Sequence, residues 1–117
     1  MPYANTYSRT AYAQHLVDEY KRAGVRPEDV RVQSFSLDDI RYWVEAEPAF
    51  ARQAVFLDGR YRDRSFDPAN PASWVPSMDD LVSAGVRVLA PPIWMLVTLA
   101  SDGSIVPSAY ALSLIHI

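Results

Sequence analysis

Three short apolar runs alternate with helix signals along the chain, and this alternation limits the possible folds more than any other feature. The runs cover residues 30–35, 54–58 and 86–90, and their starts lie 24 and 32 residues apart. Near-continuous apolar strands separated by helices are typical of parallel sheets covered by helices, which predicts an α/β fold. A doubly wound sheet and a slice of a (β/α)8 barrel both fit this spacing. Because a complete barrel needs about 250 residues, a chain of 117 residues holds less than half of one.

The helix boundaries are predicted from apolar spacing and from residues that start or end helices. A first helix is expected over residues 8–23, with Gly24 as its left-handed cap. Ser36 and Ser77 each begin a Ser-x-Asp-Asp sequence, so each is predicted to cap a helix by accepting the amide hydrogen bond of the second aspartate. Near the C-terminus, Asp102-Gly103 between two apolar segments predicts a β-hairpin, and a further helix is expected after it.

The composition excludes several classes of function. With 11 Lys+Arg against 14 Asp+Glu the net charge is −3 and no basic block is present, so binding to nucleic acid is not expected. The longest nearly uncharged stretch, residues 88–101, contains two prolines and polar residues, which predicts no membrane-spanning helix. The absence of cysteine excludes thiolate catalysis and Cys-ligated metal centres, and leaves His15 and His116 as the two histidines.

Candidate binding residues follow from the rule that ligands of parallel α/β sheets lie at the carboxyl ends of the strands. Gln33 is a neutral amide in an apolar run, which makes it either a satisfied interior amide or a ligand contact. Asp58 ends the second run and is either a turn residue beside Gly59 or a ligand contact. Trp94 follows the third run, where an indole either packs in the interior or forms a wall of a cleft.

The loop after the second run carries alternating arginines. In an extended loop Arg60, Arg62 and Arg64 would lie on one side, an arrangement that suits a phosphate. The interleaved acidic residues favour a solvated loop with local ion pairs instead. Together the strand ends supply one carboxylate and no histidine, too few groups for a complete hydrolase site.

Residues 33–39, Gln-Ser-Phe-Ser-Leu-Asp-Asp, resemble the strand end of the glycerophosphodiester phosphodiesterase family. Five other segments resemble successive parts of the same family, and with them the resemblance covers about residues 10–111. These segments are residues 18–25, 42–48, 53–58, 85–94 and 106–111. The resemblance implies a partial (β/α)8 TIM barrel over residues 1–111, with about three βα units and a hairpin insertion. These units would be the later-middle ones of the family's barrel, from about its fourth helix to the start of its seventh.

The resemblance also implies an activity. The family hydrolyses glycerophosphodiesters to glycerol 3-phosphate and an alcohol, with a divalent cation (Ca²⁺ or Mg²⁺) held by carboxylates and two histidines that transfer protons. Because those positions have no counterpart in this sequence, the chain alone is predicted to be inactive, without catalytic residues or metal ligands. Gln33 carries over as a substrate contact, with Asp58 and Trp94 at the rim of the cleft. The compartment stays open, although relatives of this family are often periplasmic or secreted.

Two other functions also fit the sequence, and the last six residues differ in character from the rest of the chain. The alternatives are a small non-catalytic α/β binding module and a slice of another phosphate-handling barrel enzyme. Residues 112–117, Leu-Ser-Leu-Ile-His-Ile, interrupt the helical pattern and resemble the translation of an adapter used to prepare sequencing libraries. We therefore expect a non-native tail after Ala111, in which His116 has no functional role.

Overall fold

A computed structural model of the chain describes residues 8–114. Its helices are α1 (Arg9–Arg22), α2 (Leu37–Ala46), α3 (Pro48–Ala51), α4 (Met78–Ser83) and α5 (Ala109–Leu114). Its strands are β1 (Gln33–Ser34), β2 (Val55–Leu57), β3 (Val88–Ala90), β4 (Val97–Leu99) and β5 (Ile105–Pro107). Short 3₁₀ turns occur at Pro27–Asp29, Arg60–Arg62, Pro71–Ser73 and Ile93–Leu96. The chain therefore has mixed α/β structure.

The first three strands form one parallel sheet in chain order, β1-β2-β3. Gln33 pairs with Val55, and Val55 pairs in turn with Val88, so these three residues form one row across the sheet. The carboxyl ends of all three strands consequently meet at one edge, as they do in successive βα units. Membership of this sheet in a barrel stays a prediction.

The core lies between the sheet and the helices α1 and α2. Val17, Ile40 and Phe56 are at most 4% exposed and pack in one cluster. Trp43, also buried, donates its indole N–H to the carbonyl of Ala13 at 3.0 Å, which fastens α2 to α1 and satisfies the indole's only donor. The amphipathic helix predicted for residues 8–23 is thus confirmed.

The first strand is shorter than the predicted residues 30–35. Val30 ends the 3₁₀ turn before it, and the Val30 carbonyl accepts a hydrogen bond from the Gln53 amide at 2.7 Å instead of from a neighbouring strand. Only Gln33 and Ser34 are paired as a strand. The apolar pattern identified the segment, but side-chain competition for its carbonyl groups set its length.

The two predicted serine caps have different outcomes. Ser77 accepts the amide hydrogen bond of Asp80 at 3.1 Å, and the Asp80 carboxylate accepts the Ser77 amide, which forms a capping box. The prediction for Ser36 was wrong, because its side chain makes no capping hydrogen bond to α2. Its hydroxyl accepts a hydrogen bond from Arg9 instead, at 2.6 Å.

The predicted hairpin is present, as β4 and β5 pair in antiparallel fashion. Helix α5 follows it and continues to Leu114, so the expected break in the helix at Leu112 was wrong. Leu114 packs against the core cluster, which gives the last turn of α5 an apolar contact. Residues 115–117, with His116, lie outside the described residues. The adapter origin of the tail stays a prediction.

None of the helices that the structure describes between residues 8 and 114 is both long enough and apolar enough to cross a membrane. This agrees with the prediction from residues 88–101. Most of that stretch belongs to β3, to the 3₁₀ turn Ile93–Leu96 and to β4, and the two prolines Pro91 and Pro92 separate β3 from the turn.

Candidate functional site

A cleft of about 600 Å³ opens beside the carboxyl end of β1. Arg9 and Gln33 contribute polar side chains to its wall, and Phe35 and Leu57 contribute apolar ones. The cleft thus lies where the first residues of α1 approach the ends of β1 and β2. It combines a cation, an amide and apolar walls, the mixture expected of a small-molecule site.

Gln33 is exposed and makes no hydrogen bond with another residue of the described range 8–114. The interpretation of this residue as a satisfied interior amide was therefore wrong. Gln33 lies on the outermost strand of the sheet, where its side chain lines the cleft, whereas its row neighbour Val55 on the central strand is buried. Its amide can donate and accept hydrogen bonds at the cleft wall.

A chain of hydrogen bonds holds the loop between β1 and α2 at the cleft. Arg9 donates to the Ser36 hydroxyl at 2.6 Å, and the Ser36 amide donates to the Ser34 hydroxyl at 2.9 Å. The Ser34 hydroxyl in turn donates to the Asp39 carboxylate at 2.7 Å. Of these residues Asp39 carries a negative charge into the cleft lining, partly offset by its serine donor and by the Arg9 guanidinium.

Sequence reasoning missed Arg9, although one signal pointed to it. The first turn of α1 contains no acidic residue and begins with this arginine, which opposes the positive end of the helix dipole. A residue that is locally unfavourable and bonded to a loop 27 positions away has a role beyond helix formation. Phe35 was also missed as a cleft residue, because an exposed phenylalanine is not distinguished from a core one by sequence.

A row of aromatic and cationic side chains lies at the carboxyl ends of the strands, and we call its members Phe35, Tyr61, Arg62 and Trp94 the aromatic ridge. Tyr61 is half-buried, and the other three are exposed. The Arg62 guanidinium carbon lies 5.5 Å from the Phe35 ring centre and 5.8 Å from that of Tyr61. The Tyr61 and Trp94 rings meet in a T-shaped contact with centres 5.1 Å apart. Trp94 is 54% exposed and Phe35 is 56% exposed. The predicted position of Trp94 at the rim therefore corresponds to an exposed indole.

The three arginines of the following loop do not share one side. Residues 60–62 form a 3₁₀ turn, so the extended loop that would align the arginines for a phosphate is absent there. Arg60 points inward and Arg62 outward to the aromatic ridge. The acidic neighbour Asp63 accepts hydrogen bonds from the Ser65 amide and hydroxyl, at 2.9 and 2.7 Å, and the described part of the chain shows no ion pair between Asp63 and an arginine.

Asp58 is the centre of a buried polar network at the end of β2. Its side chain is fully buried and accepts two hydrogen bonds from the Arg60 guanidinium, at 2.9 and 2.7 Å, and one from the Tyr110 hydroxyl at 2.7 Å. The Arg60 amide adds a fourth, at 3.0 Å, and the guanidinium also binds the Pro76 carbonyl. Four donors fill the acceptor sites of a carboxylate. This geometry combines the predicted turn role of Asp58 with a buried ion pair.

The network shifts the pKa values of both acids in it. Burial tends to raise the pKa of Asp58, but the hydrogen bonds from Arg60 and Tyr110 outweigh it and hold the pKa below its usual range. Burial, together with the negative charge of Asp58, raises the pKa of Tyr110 far above its ordinary value. Both groups therefore keep one protonation state over the whole physiological range.

An aromatic cluster covers this network on one side. Trp74 and Phe66 both contact the Tyr110 ring, with ring centres 5.6 and 6.3 Å from it. Arg60 stands over the Phe66 ring, 4.8 Å from its centre. Trp74 is buried and donates its indole N–H to the Asp67 carbonyl at 2.7 Å, so it packs in the interior and does not line the cleft.

The cation that the family resemblance implies does not fit the described residues. Between residues 8 and 114, no three His, Asp or Glu side chains come together as a metal site. Asp58, the carboxylate at a strand end, already accepts four hydrogen bonds. We derive no step through a metal ion.

One known protein is similar to nearly the whole chain. A protein named "Extracellular protein" from Arthroderma benhamiae is 40% identical over 113 residues, which are 97% of this chain and 44% of that protein. The chain thus spans less than half the length of this curated relative. No family model matches the sequence, and no solved structure matches it. The relative's name states a location and no activity.

Proposed function

We propose that this chain is part of a secreted glycerophosphodiester phosphodiesterase and forms one side of its substrate cleft. The observation that carries the proposal is the Gln33 side-chain amide, which has no hydrogen-bond partner among residues 8–114 and lies in a cleft at the carboxyl end of a parallel sheet. The same residue begins the Gln-Ser-Phe segment, one of those that resemble the family. Barrel enzymes bind their substrates at this end of the strands.

The polar groups of the cleft suit a glycerophosphodiester. The diester carries one negative charge, and the Arg9 guanidinium has donors beyond the one that it gives to Ser36. Glycerol hydroxyls donate and accept hydrogen bonds, as the Gln33 amide does. The apolar walls formed by Phe35 and Leu57 suit the carbon skeleton.

The reaction itself needs groups from outside this sequence. The positions that the resemblance assigns to the divalent cation and to the two proton-transferring histidines have no counterpart here. The chain therefore binds the diester and does not hydrolyse it. The secreted location rests on the name of the Arthroderma benhamiae relative, and the assignment to a longer enzyme is supported by that relative's length.

Titration of the purified chain with glycerol 3-phosphate, followed by NMR, tests this function. We expect saturable shifts of the Gln33 side-chain amide, weakened by Gln33→Leu and by Arg9→Gln. Arg52→Gln is the matched control, because Arg52 is also exposed but lies outside the cleft. Equal binding by the control and the cleft variants would contradict the proposed site.

A hydrolysis assay tests whether this chain binds the diester without hydrolysing it. With glycerophosphocholine and either Ca²⁺ or Mg²⁺, the purified chain should release no choline. Metal-dependent turnover that chelation abolishes would refute the proposal that the cation and the proton-transfer groups lie outside this sequence.

A further inference from the structure

Packing explains only one member of the aromatic ridge, because Tyr61 lies against the core cluster whereas Phe35, Arg62 and Trp94 are exposed. Phe35 and Trp94 leave more than half of their surface in solvent, and the four members touch one another in a continuous row. Single exposed apolar residues are ordinary on protein surfaces, whereas contiguous exposed groups mark interaction sites. The row crosses the ends of all three parallel strands, about 10 Å of sheet width at the usual strand spacing.

The ridge is joined to the cleft through Phe35. This ring lines the cleft and also lies under the Arg62 guanidinium. Gly59 brings the next loop against it, since a Cβ atom added there would lie 3.1 Å from the Phe35 ring. A ligand whose phosphate is held near Arg9 and Gln33 can therefore extend over the ridge.

The charge of Arg62 decides which groups the ridge accepts. Its guanidinium already occupies a face of Phe35 and lies near the Tyr61 ring. Quaternary ammonium groups are recognised by aromatic faces, but at Phe35 and Tyr61 a fixed positive charge stands where such a cation would bind. The same charge repels a cation placed over Trp94, whose ring touches that of Tyr61. Of the acidic neighbours, Asp63 accepts hydrogen bonds from Ser65, so the Arg62 donors are not taken up by that carboxylate.

Trp94 adds an apolar platform at the far end of the ridge. In a T-shaped contact one ring offers a face and the other an edge, so the Trp94 indole keeps at least one face that Tyr61 does not cover. The negative face of an indole attracts weakly positive C–H groups. The ring face of a sugar or cyclitol presents such groups, while its hydroxyls are acceptors for Arg62.

We propose that the aromatic ridge selects glycerophosphodiesters whose alcohol is an uncharged polyhydroxylated ring, a sugar or cyclitol, against those with a cationic headgroup. This inference rests on the proposed function, because the glycerophosphate half is held in the cleft. It assigns Arg62 and Trp94 to substrate selection, with Arg62 as the hydroxyl donor and Trp94 as the platform.

Competition between two diesters with the same glycerophosphate half tests the inference. Glycerophosphoinositol should bind the purified chain about threefold to fivefold more tightly than glycerophosphocholine, the size of one exposed charged interaction. Arg62→Ala should make the affinities for glycerophosphoinositol and glycerophosphocholine nearly equal. Arg64→Ala is the matched control, since it removes an exposed arginine from the same loop and should keep the preference. Trp94→Ala should weaken glycerophosphoinositol binding alone.

The outcomes separate this inference from the proposed function. Equal affinities, or tighter binding of glycerophosphocholine, would overturn the selection by the ridge and leave the function of the cleft standing. A preference that survives Arg62→Ala would overturn the role of Arg62. If neither diester binds, both proposals fail. Because Arg62 is on the surface, circular dichroism of the Arg62→Ala variant should match that of the unaltered chain.

Discussion

Asp58 shows how a single buried charge organises the end of a strand. A carboxylate taken out of water costs several kcal/mol unless it is paired and hydrogen-bonded. Here the guanidinium of Arg60 binds both carboxylate oxygens, and Tyr110 binds one of them from α5. The network therefore ties β2 to a helix that lies 52 positions further along the chain. The apolar contacts of the Tyr110 ring and of Leu114 hold the same helix in addition to this network.

Removal of the Tyr110 hydroxyl measures how much its hydrogen bond to Asp58 contributes to the stability of the fold. Tyr110→Phe keeps the ring in the cluster with Phe66 and Trp74 but removes one donor from Asp58. We expect unfolding in urea to require about 1.5–3 kcal/mol less free energy, the usual contribution of a hydrogen bond to a charged group. Tyr20→Phe is the control, because no hydrogen bond of the Tyr20 hydroxyl occurs among the described residues, and it should change stability little.

The difference in unfolding free energy between the unaltered chain and the Tyr110→Phe variant should also depend on pH, in a direction that the two pKa shifts determine. Because the pKa of Asp58 is lowered on folding, its contribution is complete above about pH 4, the ordinary Asp value, and declines as the pH falls through the lower folded-state pKa. Because the pKa of Tyr110 is raised, its contribution is lost as the pH rises above about 10. The stability difference between the unaltered chain and Tyr110→Phe should therefore form a plateau between these limits. A difference that is flat from pH 3.5 to 10.5 would contradict the role of the network.

At the scale of elements, the same sequence signal led to two different structures. Ser36 and Ser77 both begin a Ser-x-Asp-Asp sequence, yet only Ser77 forms a capping box. The Ser36 hydroxyl is bonded to Arg9, 27 positions away, and the Asp39 carboxylate to Ser34. Local capping depends on neighbouring residues and is predictable, whereas competition from a distant side chain is not.

Alanine substitutions distinguish the two serines. Ser77→Ala should lower the free energy of unfolding by about 1 kcal/mol, the usual cost of losing a side-chain N-cap. Ser36→Ala should cost less, because its hydroxyl caps no amide and its bond to Arg9 is exposed. The midpoints of urea unfolding compare the two variants directly. An equal or larger loss for Ser36→Ala would mean that the Arg9 contact stabilises the fold more than the capping box does.

The distinction between local and distant causes explains what the sequence could predict. The first helix, the cap at Ser77 and the β4–β5 hairpin follow from neighbouring residues, and the structure has them. The exposure of Gln33 depends on the strands beside it, and the burial of Asp58 depends on Tyr110 in a distant helix. Neither is encoded within a few residues of the position. The sequence therefore placed Gln33 and Asp58 at the ends of their strands, as the structure has them, but did not predict that Gln33 is exposed and that Asp58 is buried away from the cleft rim.

At the scale of the whole molecule, the described residues leave two kinds of surface without a partner. The outer edges of β1 and β3 have no neighbouring strand between residues 8 and 114. The hairpin exposes a cross-strand pair, Leu99 and Ile105, at 70% and 72% of their surface. Open strand edges and isolated two-stranded hairpins with apolar faces are prone to association. Both features are expected of βα units that a longer barrel would cover.

We therefore expect the purified chain to self-associate, with a mass that rises with concentration in light scattering after gel filtration. Replacing the hairpin pair by Leu99→Thr with Ile105→Thr should shift the equilibrium toward the monomer, because it removes apolar surface and keeps the β-propensity of the strands. Val75→Thr is the control, since Val75 is 80% exposed but lies in a loop, and it should leave the association unchanged. A chain that stays monomeric at high concentration and melts cooperatively would instead favour a self-sufficient α/β binding module. In that case the sheet edges would need no further strands, and the proposal of a partial barrel would fail.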